Sequence, residues 1–125
     1  MSDLRDATLG QVAIVVQDLD RATAFYRDQL GLPFLFGFPG LAFFQCGATR
    51  FMLSKAEKPE FDHPSSILYY RVPDAVATHA VLSARGVTFR DEPHVVHRTP
   101  TSELWMTFFN DPEGNTFALM AEKPI

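Results

Sequence analysis

Apolar and polar positions alternate along this chain in two rhythms, and the same order of rhythms occurs twice. Gln11-Val12-Ala13-Ile14-Val15-Val16 is a β-branched apolar run that predicts a strand covered on both faces. Asp18 then offers a helix cap, and Leu19, Ala22, Phe25 and Tyr26 return at helical spacing until Gly31 ends the element. Short strands are predicted over 33–37, 41–46 and 49–55, with Pro39-Gly40 and Gly47 at the turns between them. A polar stretch with two prolines follows. The order then resumes with a strand over 67–72 and a helix capped by Asp74, with Ala75, Thr78, Val81 and Leu82 inward and Gly86 at its end. Strands within 87–98, 104–109 and 116–122 complete the second half.

The recurrence is visible in single residues. Val16-Gln17-Asp18 matches Val72-Pro73-Asp74, and Gly31-Leu32-Pro33-Phe34 matches Gly86-Val87-Thr88-Phe89. Phe51-Met52-Leu53 after Gly47 matches Phe117-Ala118-Leu119 after Gly114. The expected architecture is α+β: one domain over 1–125, built from two tandem βαβββ modules at about 9–55 and 66–122 with a linker at 56–65. Neither module can cover its own sheet, so the two are expected to pack with curved sheets enclosing a cleft and helices outside. A ferredoxin-like sandwich explains one β-α-β-β portion and leaves the second copy without a role.

Length and composition narrow the field. The 125 residues make one ordinary domain, 46% apolar and carrying 12 phenylalanines. A net charge of −4 without a basic cluster argues against nucleic acid or an anionic membrane surface as partner. The one cysteine, Cys46, rules out an internal disulfide framework and fits a reducing compartment. The amino terminus has no signal pattern, and no apolar run reaches the roughly 18 residues of a membrane span. A cytoplasmic protein is expected.

One stretch carries more information than the rest. In Phe108-Phe109-Asn110-Asp111-Pro112-Glu113-Gly114-Asn115-Thr116-Phe117-Ala118-Leu119-Met120, two apolar runs flank a turn in which Pro112 presets one residue and Gly114 supplies a left-handed one. With Gln11-Val12-Ala13-Ile14, Ala24-Phe25-Tyr26-Arg27 and Leu30-Gly31-Leu32, it closely resembles the vicinal oxygen chelate superfamily: glyoxalase I, bleomycin-resistance proteins and extradiol dioxygenases. The resemblance runs from about Leu9 to Glu122.

In metal-using relatives each module gives one ligand from its first strand and one from its last. Carried over, those positions are Gln11, Met52, Ile67 and Ala118. An amide oxygen at Gln11 can coordinate, a thioether is a poor partner for a hard divalent ion, and the other two side chains cannot coordinate. The resemblance therefore implies a protein without the family's metal and without another cofactor; a divalent metal is the alternative.

Strand alternation groups Gln11 with Ala13 and Val15, and Ile67 with Tyr69 and Arg71; the resemblance makes these faces concave. Met52 with Ser54 and Ala118 with Met120 join them, as do Phe44 with Cys46, and Trp105 with Thr107 or else Met106 with Phe108. The same apolar residues also suit a plain packed core. Arg71 is placed for an anionic ligand group or an ion pair with Glu103 or Asp74. Asp111 is expected to bond turn amides, and Cys46 to act as a small hydrophobe. His94 and His97, three apart in an extended stretch, are expected on opposite faces.

Three readings follow. The first is a protein binding a small, partly apolar or aromatic molecule, with a homodimer as the expected assembly. The second is a lyase, isomerase or dioxygenase of the same superfamily with a displaced metal site, drawing on Gln11, Glu92, His94, His97 or Glu122. The third is an interaction module with a filled cleft. Catalysis is left undecided among them.

Overall fold

The computed structural model describes residues 3–56 and 59–125. Its first module runs β1 (Gln11–Val15), α1 (Leu19–Ala24), β2 (Phe34–Phe38), β3 (Leu41–Cys46) and β4 (Thr49–Ser54). The second runs β5 (Leu68–Arg71), α2 (Ala75–Ala84), β6 (His94–Arg98), β7 (Ser102–Asn110) and β8 (Thr116–Pro124). Each forms a four-stranded sheet, in the orders β1-β4-β3-β2 and β5-β8-β7-β6. In both, the outer pair nearest the module's start is parallel and the other two pairs are antiparallel. Two βαβββ modules are thus observed, matching the repeat read from the sequence.

The helices begin where expected. Asp18 accepts the Arg21 amide at 3.0 Å and Asp74 accepts the Ala77 amide at 3.1 Å, each cap contributing about 1 kcal/mol. After Ala24 the first helix widens into a π turn, Phe25–Gln29, closed by the Leu30 amide on the Phe25 carbonyl at 3.0 Å. The repeat explains it. Gly31 lies thirteen positions after Asp18, whereas Gly86 lies twelve after Asp74. One extra residue must be absorbed, and a π bulge does so without moving either end. Gly31 and Gly86 both have positive φ, 79° and 90°, and they sit where the helix ends meet. A Cβ on Gly31 would lie 3.2 Å from Arg85, and one on Gly86 3.2 Å from Gln29.

The core is shared. Tyr26 stands 5.2 Å from Phe51 within its module and 6.2 Å from Phe117 of the other, and Tyr70 stacks between Phe51 and Phe109 at 6.4 Å from each. All these rings lie on the helix-facing sides of the sheets. Aromatic pairs of this kind add roughly 0.5–1.5 kcal/mol each beyond buried area. The last hairpin locks the junction: Glu113 accepts the amides of Gln17 (2.7 Å) and Asp18 (3.1 Å) and pairs with Arg21 (2.9 Å).

Two expectations on strands change. Residues 87–93 form no strand; only Phe89 bridges to Phe109 there. The Asp91 carboxylate accepts from the Thr107 hydroxyl and the Phe108 amide at 2.9 and 3.0 Å, so a side-chain acceptor serves β7 there, and Pro93 brings no amide hydrogen to a ladder. Bulges also interrupt β2 between Phe34 and Phe36, and β6 between Val95 and His97. The second one puts His94 opposite Met106 and His97 opposite Leu104, residues of one face. The two histidines therefore share a face, contrary to simple alternation.

Candidate ligand-binding surface

Each sheet has a second face, turned away from the helices. On the first sheet it carries Gln11, Ala13 and Val15 beside Arg50, Met52 and Ser54, with Leu41 and Phe43 opposite the last two. Ala13, Val15, Leu41, Met52 and Ser54 form the floor of a cavity of about 430 Å³. Its other wall is the segment after β4, through Ala56, Phe61 and His63. Gln11 turns its amide nitrogen to the Met52 sulfur, 3.7 Å away. The arrangement is an apolar floor with a hydroxyl and an imidazole at the edge, the usual make-up of a small-molecule site.

On the second sheet the corresponding face carries Tyr69, Arg71, Met106, Phe108, Ala118 and Met120. Tyr69 and Phe108 flank Ala118 and meet edge to face at 5.9 Å, leaving Ala118 wholly buried. Arg71 lies 3.9 Å from Glu122, while Glu103 is taken by Arg98 at 2.9 Å. Ile67 precedes β5 and is half exposed. The cavity against Met52 has no wall from Ile67 or Ala118, so the four carried-over positions do not close one pocket within a chain.

Four expected lining residues lie on the helix-facing side instead. Phe44 pairs with Phe51 and Cys46 with Thr49, whereas Phe43 pairs with Met52. Trp105 pairs with Ala121 and Thr107 with Leu119, whereas Met106 and Phe108 pair with Met120 and Ala118. Of the alternatives weighed for β7, the Met106 and Phe108 pair faces with Ala118. Thr107 is buried with its hydroxyl on Asp91, and Trp105 donates to Glu103 at 3.3 Å and lies under Lys123. Cys46 is half-buried and its thiol is pushed above the usual value by burial, which suits a small hydrophobe better than a nucleophile. The missing signal was turn parity. Two residues, Gly47 and Ala48, join β3 to β4, which fixes Phe43 opposite Met52. Leu41, Phe43, Phe61 and His63 were the members that sequence reasoning did not supply, whereas Ser54 lies beside Met52 as strand alternation predicts.

Asp111 does what the turn requires. Its carboxylate accepts the amides of Glu113 and Asn115 and the Asn115 side chain, at 2.8–2.9 Å. It also accepts the Tyr26 hydroxyl at 2.6 Å.

The donor set does not fit the family's metal. Gln11, Met52, Ile67 and Ala118 offer one amide, one thioether and two hydrocarbons, and Ala118 is sealed under two rings. Among the described residues no three His, Cys, Asp or Glu side chains converge as a metal site.

Two βαβββ modules, each with one sheet face turned away from its helix, define the fold class. The chain belongs to the Glyoxalase/Bleomycin resistance protein/Dioxygenase superfamily, whose family model matches residues 8–119. No curated protein sequence matches it. Among solved structures it is similar to TnmS3, an antibiotic binding protein from Streptomyces sp. CB03234. That likeness is 25% identity and TM-score 0.75, over 98% of this chain and 99% of the other. Lactoylglutathione lyase from Agrobacterium tumefaciens shares the fold at 24% identity and TM-score 0.70, over 92% and 93%. A superfamily member from Sphaerobacter thermophilus DSM 20745 matches at 25% identity and TM-score 0.72, over 92% and 97%. Among the described residues no helix is long and apolar enough to cross a membrane.

Proposed function

We propose that this protein binds a small, partly apolar or aromatic molecule on the open sheet face, without a metal ion or other cofactor, and sequesters it in the cytoplasm. The observation that carries this reading is the cavity over Ala13 and Met52, apolar below and edged by Ser54 and His63. Likeness to an antibiotic binding protein supports it. A homodimer fits the same reading: the second sheet of another copy, with Tyr69, Phe108 and Met120, would cover a floor that one chain leaves open. Trp105 lies on the other side of its sheet, so its emission is a poor reporter of this site. Calorimetric titration with a panel of aromatic antibiotics and metabolites is the direct test. Binding that is lost in Met52→Trp, which fills the cavity, supports the proposal; no heat across the panel refutes it.

A second reading keeps an enzyme of the superfamily with a displaced metal. One observation favours it: the bulge in β6 brings His94 and His97 to one face, on the side of the sheet that also carries Glu122. Stoichiometric metal surviving dialysis and lost in His94→Ala would select this reading over the first.

A further inference from the structure

Every arginine but one finds an oxygen within the chain. Arg5, Arg21, Arg27, Arg71 and Arg98 pair with carboxylates, Arg90 bonds the side chains of Asn110 and Thr116, and Arg85 bonds the Gln29 carbonyl. Arg50 is the exception. Among the described residues its exposed guanidinium makes no hydrogen bond and no ion pair. It lies over aromatic rings instead, its central carbon 5.7 Å from the centre of Phe36 and 5.5 Å from that of Phe43.

The rings are there because of a bulge. Phe34 packs on Phe44 on the helix-facing side, at 5.5 Å. The irregularity between Phe34 and Phe36 then turns Phe36 opposite Phe43 and Phe38 opposite Leu41, on the open face. Phe36 and Phe38 meet edge to face at 5.6 Å and both remain exposed. Phe43 stands directly opposite Met52, so the stack begins where the floor of the cavity ends. A guanidinium lying over a ring keeps its fork of N–H donors free at the edge, and that fork matches the two oxygens of a carboxylate.

Charge on this face has one sign. Acidic side chains outnumber basic ones in the chain, 15 to 11, yet the open face of the first sheet carries no carboxylate among the described residues. The residues lining the cavity add Lys55 and His63, and again no acid. We propose that Arg50 is the anion anchor of the open face, and that the molecule bound there is an aromatic carboxylic acid, with its rings on Met52 and Phe43 and its carboxylate on the guanidinium. The inference rests on the open-face reading and narrows it to acids. Arg50 and Met52 stand two residues apart on β4, about 7 Å, a span that a fused ring pair bearing one carboxylate covers. A second copy of the chain is the rival occupant, since Glu122 lies on the open face of the second sheet.

Naphthoate and the matching naphthamide share their rings and differ in charge at neutral pH. Each is titrated into the intact protein by calorimetry, at about 0.05 M and about 0.5 M salt. Naphthoate is expected to bind about 5-fold tighter at the lower salt, a margin proper to one exposed bidentate pair, and the margin should shrink at the higher. Arg50→Gln should bring naphthoate down to the amide while the amide binds as before, which also reports that the variant is folded. Equal binding of acid and amide, a margin that survives Arg50→Gln, or one that Lys55→Gln removes instead would overturn the inference and leave the functional reading standing. A dimer that becomes a monomer in Arg50→Gln, read by sedimentation, would overturn it too, by giving the guanidinium to a second copy's carboxylate. If neither compound binds, the inference falls; the reading falls with it only if the whole panel of antibiotics and metabolites is silent as well.

Discussion

The Tyr26 hydroxyl donates to Asp111 at 2.6 Å, tying the first helix to the last hairpin through a buried, charge-assisted hydrogen bond. Burial, with the Asp111 carboxylate adding to it, holds the phenol well above its ordinary pKa, so the donor persists at any pH the fold survives. Tyr26→Phe deletes the donor and leaves a buried carboxylate one bond short. A loss of about 1.5–3 kcal/mol is expected in urea denaturation. Tyr70→Phe is the matched control: its hydroxyl has no partner among the described residues, so the same change there should alter stability by less than about 0.5 kcal/mol or raise it.

Glu113 predicts a pH dependence. Burial disfavours its charged form, but the Gln17 and Asp18 amides and Arg21 outweigh that and hold its pKa below the ordinary value. A carboxylate whose pKa is lower folded than unfolded stabilises the fold above its unfolded pKa, near 4.3, and loses that contribution as pH falls through the folded value. Glu113→Gln should therefore cost about 1–2 kcal/mol at pH 7 and progressively less below pH of about 4. Denaturation midpoints of both proteins across pH 3–7 check it; a constant gap would refute the account.

Restoring the family's glutamate should harm this chain. Ala118 is wholly buried beneath Tyr69 and Phe108, with no cation opposite it in the sheet. Ala118→Glu is expected to cost at least about 3 kcal/mol, and zinc or manganese should not recover it, since Met52 and Ile67 supply no matching donors. Thermal melts with and without metal read both halves of the prediction.

The π turn makes a length prediction. If its extra residue is merely accommodated, removing exposed Asp28 lets the helix run on as a regular α-helix between fixed ends. That deletion should retain more than half the stability. Deleting Ser83 from α2, which has no residue to spare, should abolish cooperative unfolding.

Much of the architecture was legible because it is written twice. Both Asp caps, both glycine stops and the paired Phe51 and Phe117 strands mark modules whose order the sheets reproduce. Parity was not legible. Whether Phe43 or Phe44 stands beside Met52 depends on turn length, and whether His94 and His97 share a face depends on a bulge that no residue type announces. The cavity wall from Phe61 and His63 was hidden for another reason: a linker's path is set by what it crosses, not by its own pattern. The absence of coordinating atoms at Met52, Ile67 and Ala118 could be read directly, because it is a matter of chemistry rather than geometry.

Pro73 gives the duplication a direction. A hairpin bearing Glu113 finds two amides to grip only at the entrance of the first helix, because the matching entrance in the second half has a ring where one hydrogen should be. Two identical halves could mate in any combination; these recognise each other as lock and key. A second-half hairpin set against a second-half helix entrance would leave Glu113 one amide short, so the asymmetry favours the union of unlike halves.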